Sequence, residues 1–359
     1  MNILFLDSWL RERAEGSGSA VAIAGLERGL ERLGHTVDVL RPRERLPSLD
    51  LTRLAYNLTL RRRIGPGAGR YDIAVGFDFD GWALPADPGV RFVVALKGVA
   101  AEERKFESGL DRVRFALYAR LEGRNARSAD RVFVTSRYAA RAAAEAYGLD
   151  ADRLRVVPEA IDDDVLRRAA AASREGSARV DRAPVILSVA RQYRRKDTPT
   201  LLRAFARVRD VIPEARLRIV GDGPRLPAAR RLAGQLALAD SVTFTGALAS
   251  TAALDREYRR ARLFCLPSRQ EGFGIVFLEA MAYGLPIAAA AAGAVPEVAP
   301  DGHTSVLVPP GHPEALAAAL VRLLSDRELA TRLGSAGPAR AREFDWTSTA
   351  RAFLGGVTA

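Results

Sequence analysis

Residues 262–298 constrain the fold more tightly than any other stretch. Leu263 to Leu266 is a continuous apolar run, short enough for a buried strand. A polar turn from Pro267 to Gln270 follows, then the acid Glu271 and the loop Gly272-Phe273-Gly274. The next segment is apolar, holds a second acid, Glu279, and stops at Gly284 and Pro286 as a helix should. Ile287 to Ala290 is a second apolar run. The order is strand, glycine loop, helix, strand, the unit from which parallel α/β sheets are built.

The spacing suggests what the loop holds. A helix starting near Gly274 points its first N–H groups and its positive dipole end back at the glycines, which makes an anion site suited to phosphate. Gly272 and Gly274 carry no side chain, so a ligand can approach the backbone closely. Glu271 stands before the helix, where it can accept hydrogen bonds from sugar hydroxyls. Glu279 lies further along and reaches toward a second hydroxyl pair, such as a ribose. Two acids bracketing a phosphate site suit a nucleotide-sugar. Taken singly, Glu271 also reads as a favourable charge at a helix start and Glu279 as a solvated helix residue.

Glu271-Gly272-Phe273-Gly274, Glu279-Ala280-Met281-Ala282, Gly284, Pro286-Ile287, Gly293 and Pro296-Glu297 together resemble the donor-site signature of retaining glycosyltransferases of family four, group 1. The resemblance implies the GT-B fold: α/β, with two Rossmann-like, doubly wound parallel-sheet domains facing a central cleft. The first domain would span 1–165 and bind the acceptor, with a C-terminal helix at 340–359 crossing back onto it. The second would span 183–339 and bind the nucleotide-sugar donor. The mixed segment from Asp163 to Pro184 suits a linker between them.

Length and composition agree with this outline. At 359 residues the chain suits two domains, and 48% hydrophobic with 27% charged residues is globular. One cysteine, Cys265, lies in an apolar strand, which excludes a disulfide framework and reads as a small buried hydrophobe. Met1 to Asp7 is too short for a signal-peptide core, and no run reaches the ~20 apolar residues that span a bilayer. A cytoplasmic protein is expected, with the inner membrane face as a possible peripheral location. The net charge of +11 can attract nucleic acid, anionic lipid or phosphorylated substrates, but no nucleic-acid motif accompanies it and no such partner is expected.

Ile3 to Leu6, a glycine-containing loop and a helix from about Ala20 open the chain as a βαβ unit. Nine residues separate Leu6 from Gly16, and Val21 stands where the third glycine of a nicotinamide fingerprint belongs. Gly16 and Gly18 are instead similar to the family's loop facing the donor phosphate; a merely flexible loop is the alternative. Leu51 to Ile64 has a partial apolar face of Leu51, Leu54, Leu58 and Leu60 closed by Arg61-Arg62-Arg63. It fits either an ordinary surface helix or a contact with an anionic membrane. Many family members place a histidine after the strand at Phe92 to Leu96; here Lys97 occupies that place, a candidate for the acceptor side.

Val185 to Val189 begins the second strand series. Arg191 and Lys196 follow a strand end and precede a helix, a setting in which a planar fork and a point charge can hold a diphosphate. They are similar to the family's paired Arg and Lys. Gly223, in a strand-to-helix turn, and Ala247 and Leu248, after the next strand, would lie on the donor side. Phe273, Ile275 and Val276 join the donor loop. Catalysis would rest on Arg191, Lys196 and Glu271. No metal and no cofactor is expected; a nucleoside diphosphate sugar would be the co-substrate. The acceptor would be a glycan, a lipid-linked sugar or a small molecule. A GT-B sugar-nucleotide epimerase and a non-catalytic nucleotide-sugar-binding protein fit the same residues and stay open.

Overall fold

Two parallel six-stranded sheets organise the chain, each in its own compact unit. The structure, a computed structural model, describes residues 1–9, 18–43, 46–84, 89–175 and 183–358.

Unit 1 takes residues 1–160 and 346–359. Its strands are β1 (Asn2–Leu6), β2 (Thr36–Leu40), β3 (Ile73–Phe77), β4 (Arg91–Leu96), β5 (Arg131–Val134) and β6 (Leu154–Val156), in the order β2-β1-β3-β4-β5-β6. The helices between them are α1 (Gly18–Arg32), α2 (Leu49–Ile64), α3 (Ala100–Glu103), α4 (Gly109–Ser128) and α5 (Arg137–Tyr147). Helix α5 shows why the boundaries fall where they do. The Ser136 side chain caps its start by accepting from Ala139 N, and Gly148 ends it in the left-handed conformation.

Unit 2 takes residues 161–345. In chain order it holds α6 (Asp163–Glu175), β7 (Val185–Val189), α7 (Thr198–Val211), β8 (Arg216–Val220), α8 (Leu226–Gln235), β9 (Val242–Gly246), α9 (Thr251–Arg260), β10 (Leu263–Leu266), α10 (Ile275–Ala282), β11 (Ile287–Ala290), α11 (Val295–Val298), β12 (Ser305–Val308), α12 (Pro313–Ser325) and α13 (Arg327–Arg342). The sheet order is β12-β11-β10-β7-β8-β9, the dinucleotide-fold order, with its topological switch between β7 and β10. Strands β10 and β11 are buried at every residue, because helices cover both faces of the sheet. Cys265 is fully buried there, and burial pushes its thiol pKa up, so it is inert packing.

The chain then returns to unit 1 as α14 (Trp346–Thr358). Gly25 and Gly29 of α1 lie against Trp346, where any Cβ would overlap the indole or its backbone. Phe353 packs on Phe133 at 4.5 Å, and Thr349 donates to the Pro158 carbonyl at 3.0 Å.

Three sequence expectations change. Residues 163–175 are not linker but helix: Ala169 and Ala172 are buried in unit 2's core, with Val165 and Leu166 packed against it. Residues 161–165 and 340–345 belong with unit 2, since Ile161 N donates to the Phe344 carbonyl at 3.0 Å. On α2 the packed face is Arg53, Tyr56, Asn57, Leu60 and Ile64, whereas Leu51 and Leu58 face solvent. Buried polar partners in unit 1, described below, outweighed the leucine spacing.

Candidate functional site

The loops leaving β7 and β10 meet at unit 2's switch point, where open α/β sheets place their ligands. Lys196 Nζ lies 2.5 Å from Glu271 Oε1, and the two side chains are 12% and 5% exposed. Ser268 Oγ donates to the same carboxylate oxygen at 2.7 Å. Burial alone would raise the Glu271 pKa, but Lys196 foremost, then Arg195, hold it below its ordinary range. A carboxylate that stays ionised while buried is a fixed acceptor, ready for hydroxyl donors.

Further contacts stitch the loops together. Arg269 N donates to the Arg195 carbonyl, and Arg269 Nε to Asp197 Oδ2, both at 2.7 Å. Asp197 sits at φ +51, an uncommon left-handed position for a residue with a side chain, directly before α7. Gly293, at φ +59, lies so close to Glu271 that a Cβ there would strike its carbonyl oxygen and stand 2.8 Å from its nitrogen. The following amide, Ala294 N, donates to that carbonyl at 2.9 Å.

Gly274 caps α10 at φ +93, and its Cβ position is 2.6 Å from the Phe277 ring and 3.9 Å from the Glu271 carboxyl carbon. Lys196, Glu271 and the α10 start therefore share one locale. Like any helix, α10 begins with amides that lack intrahelical acceptors, and no acid occupies its first turn. Gly272 leads into this start, while Ile275 and Val276 turn partly toward the core. The Phe273 ring is buried against Phe344 at 5.6 Å, which leaves only its backbone toward the loop. Arg191 stands over the Tyr193 ring at 5.5 Å, with Arg195 5.8 Å from the same ring. Gly223, at φ +155, passes within 2.8 Å of Gln192 N at its Cβ position, so only glycine lets that turn close on the 190–197 loop. Ala247 and Leu248 follow β9, Ala247 exposed and Leu248 half-buried.

Glu279 is held from behind. Tyr258, fully buried, donates its hydroxyl to Glu279 Oε2 at 2.7 Å. Its ring stacks on Tyr283 at 5.1 Å and 4°. Burial and then the Glu279 charge push the Tyr258 pKa far up, so this hydroxyl keeps its proton and donates. Tyr258, Ser268, Arg269 and Asp197 were not singled out from sequence for this role, and Gly293 entered only within the family resemblance. Only Ser268 and Arg269 carried a local signal, as residues of the polar turn just before Glu271.

Gly18 opens α1 in unit 1 with open space around its Cβ position, and Gly16 lies outside the described residues. Lys97, at the end of β4, is not solvated: Nζ binds Glu159 Oε1 at 3.0 Å, with the side chains 9% and 5% exposed. Its backbone N donates to Asp78 Oδ1 at 2.8 Å. Asp78 and Asp80 form an Asp-x-Asp pair after β3, contrary to the expectation that the sequence holds no such pair. Asp80 is fully buried and accepts from Ser8 and Asn57; Asp78 accepts from the Trp9 indole at 2.9 Å. Arg53 lies between the Trp9 and Phe79 rings at 4.2 and 4.0 Å, its Nε donating to Ser8 Oγ. Protein partners thus occupy both carboxylates. Among the described residues no group of three metal-ligating side chains stands together, and no helix is long and apolar enough to cross a membrane.

Residues 170–340 match the family model of glycosyl transferases group 1, and residues 16–165 match that of glycosyltransferase family 4. A GDP-mannose-dependent alpha-(1-6)-phosphatidylinositol monomannoside mannosyltransferase of Mycobacterium tuberculosis is 36% identical over 217 residues, covering 58% of this chain and 56% of that protein. A D-inositol 3-phosphate glycosyltransferase of Segniliparus rotundus is 31% identical over 285 residues, covering 76% and 62%. The chain thus spans somewhat more than half the length of the curated relatives it matches. Among solved structures, sucrose-phosphate synthase from Thermosynechococcus elongatus superposes with a TM-score of 0.77 at 23% identity, covering 99% of this chain and 98% of that one. Anabaena HepE in complex with UDP-glucose gives 0.75 at 20% identity, covering 100% and 99%. These likenesses show the fold, GT-B.

Proposed function

We propose that this chain, which belongs to the group 1 glycosyltransferases of family four, moves a hexosyl group from a nucleoside diphosphate sugar to an acceptor hydroxyl with retention of configuration. The observation that carries the reading is the meeting of Lys196, buried ionised Glu271 and the α10 start at unit 2's switch point. In this reading the diphosphate lies against the α10 amides, with Arg191 and Lys196 as its cationic partners. Lys196 has three donors, so it can keep Glu271 and still reach a phosphate oxygen. Glu271 accepts from the transferred sugar's hydroxyls, and Glu279 from the ribose. Gly223, Ala247 and Leu248 line the nucleotide end through their backbone. Lys97, with Glu159, serves the acceptor side. The leaving diphosphate takes the acceptor proton, and the preorganised cations and helix dipole stabilise the charge it gains. The relatives named above use GDP-mannose and act on a phosphatidylinositol monomannoside, or act on an inositol phosphate; HepE binds UDP-glucose.

Nucleoside diphosphates and their sugars should raise the melting temperature. A ligand at a hundred times its Kd adds about 2.7 kcal/mol to the folded state. A thermal-shift series in which no nucleotide moves the transition would overturn the donor-site reading.

Tyr258→Phe should weaken binding of a ribonucleoside diphosphate about three- to tenfold, the net worth of one ordinary hydrogen bond, since the lost bond positions Glu279 and does not touch the ligand. It should leave the 2′,3′-dideoxy analogue's Kd unchanged, since that ligand has no hydroxyl for Glu279. Calorimetric titration of both ligands checks this. Equal losses for the two would make Tyr258 a packing residue only.

A further inference from the structure

Among the described residues, the most exposed large apolar side chains are Leu110 and Val113 of α4, at 88% and 67%. Leu117, 44% exposed, completes a stripe at i, i+3 and i+7, which is one face of a helix. Further along the same side stand Arg120 and Arg124, both exposed, with Arg114 beside Leu117. Helix α2 repeats the pattern: Leu51 and Leu58, 52% and 66% exposed, share a face that ends in exposed Arg61 and Arg62. The two helices are joined near the start of α2. The Tyr118 hydroxyl donates to Asp50, and Arg114 NH1 lies 3.8 Å from the same carboxylate.

Each outward face thus carries leucines or valine first and arginines last, on a chain of net charge +11. Its acid, Asp111, is already bound to Arg114 at 3.1 Å. A second copy docking here would set arginine against arginine. An anionic bilayer fits both halves: acyl chains receive the apolar side chains, and headgroup phosphates receive the guanidinium groups.

We infer that the outer faces of α2 and α4 form a surface that docks unit 1 on an anionic lipid bilayer. This deepens the reading above by giving the acceptor a class, one presented at a lipid surface. Docking is measured without donor or turnover, so the two readings fail separately.

The full-length chain is to be sedimented with phosphatidylcholine vesicles, with and without phosphatidylglycerol, at low and high salt. It should partition only onto the phosphatidylglycerol vesicles, less so at high salt. Leu110→Ser with Val113→Ser, and separately Arg61→Glu with Arg120→Glu, should each lower that partition about tenfold. All these positions are exposed, so melting temperature and the nucleotide shift should hold. A wild type that ignores anionic vesicles, or variants that bind like it, would overturn the inference. So would a wild-type dimer that the serine variant dissolves while vesicle binding persists, because the face would then join two copies of the chain.

Discussion

Replacing Lys196 by alanine is expected to lower stability and turnover together. The change leaves Glu271 buried with its nearest cation gone, and breaking one side of a buried pair costs about 3–5 kcal/mol. Turnover should fall about tenfold or more, because a cation facing the leaving diphosphate is also lost. The catalytic role expected from sequence accounts for the loss of rate; the buried partner adds the loss of stability. Lys196→Ala with Glu271→Gln, set against Glu271→Gln alone, separates the two effects. It removes the stranded charge, so melting should recover most of the way while turnover stays low. If its turnover matched that of Glu271→Gln alone, Lys196 would be a structural residue. The acid limb of stability should move as well. With its folded pKa depressed, Glu271 contributes fully above its ordinary value of 4.5, and the contribution fades as pH falls through the lower folded value. In Lys196→Ala the first of its stabilising partners is absent, so the contribution should be smaller and the pH window over which it fades narrower.

Gly293→Ala should be strongly damaging although it removes no charge. At φ +59 a non-glycine residue costs on the order of 1–3 kcal/mol, and here the new methyl also meets the Glu271 backbone. The loop carrying Glu271 must shift, so the nucleotide-induced rise in melting temperature should vanish. Gly302→Ala is the control. It has φ +69 with open space at its Cβ position, so it carries the strain without the clash. Melting curves with and without nucleoside diphosphate decide the matter. If the Gly302 variant loses the shift as fully as the Gly293 variant, contact with Glu271 is not the cause.

Much of unit 2 was legible because its signals are local. A short apolar run bounded by turn residues is too short for an ordinary helix and suits a covered strand, and β7, β10 and β11 lie where those runs stand. Gly274 ahead of an apolar segment marks a helix start, and α10 begins at the next residue. The errors fall where a local pattern was ambiguous. The alternation of Asp, Arg, Ala and Ser after Asp162 looks like linker until a core is present to receive Ala169 and Ala172. The leucines of α2 imitate a core face, yet Arg53 and Asn57 turn inward because Ser8 and Asp80 supply their hydrogen bonds. The ion pair of Lys97 was not legible because its partner, Glu159, stands 62 residues away.

The sequence by itself determined the element order, the glycine turns and the acid-glycine loop, since backbone sterics and apolar periodicity act over a few residues. Only the tertiary structure decided which charges meet. Lys196 and Glu271 are 75 residues apart, and the reversal of strand order between β7 and β10 puts them in one buried place. The same holds for Tyr258 behind Glu279 and Gly293 under Glu271. Such pairs rest on burial and hydrogen-bond geometry, which exist once the sheet has formed and leave no trace in local composition.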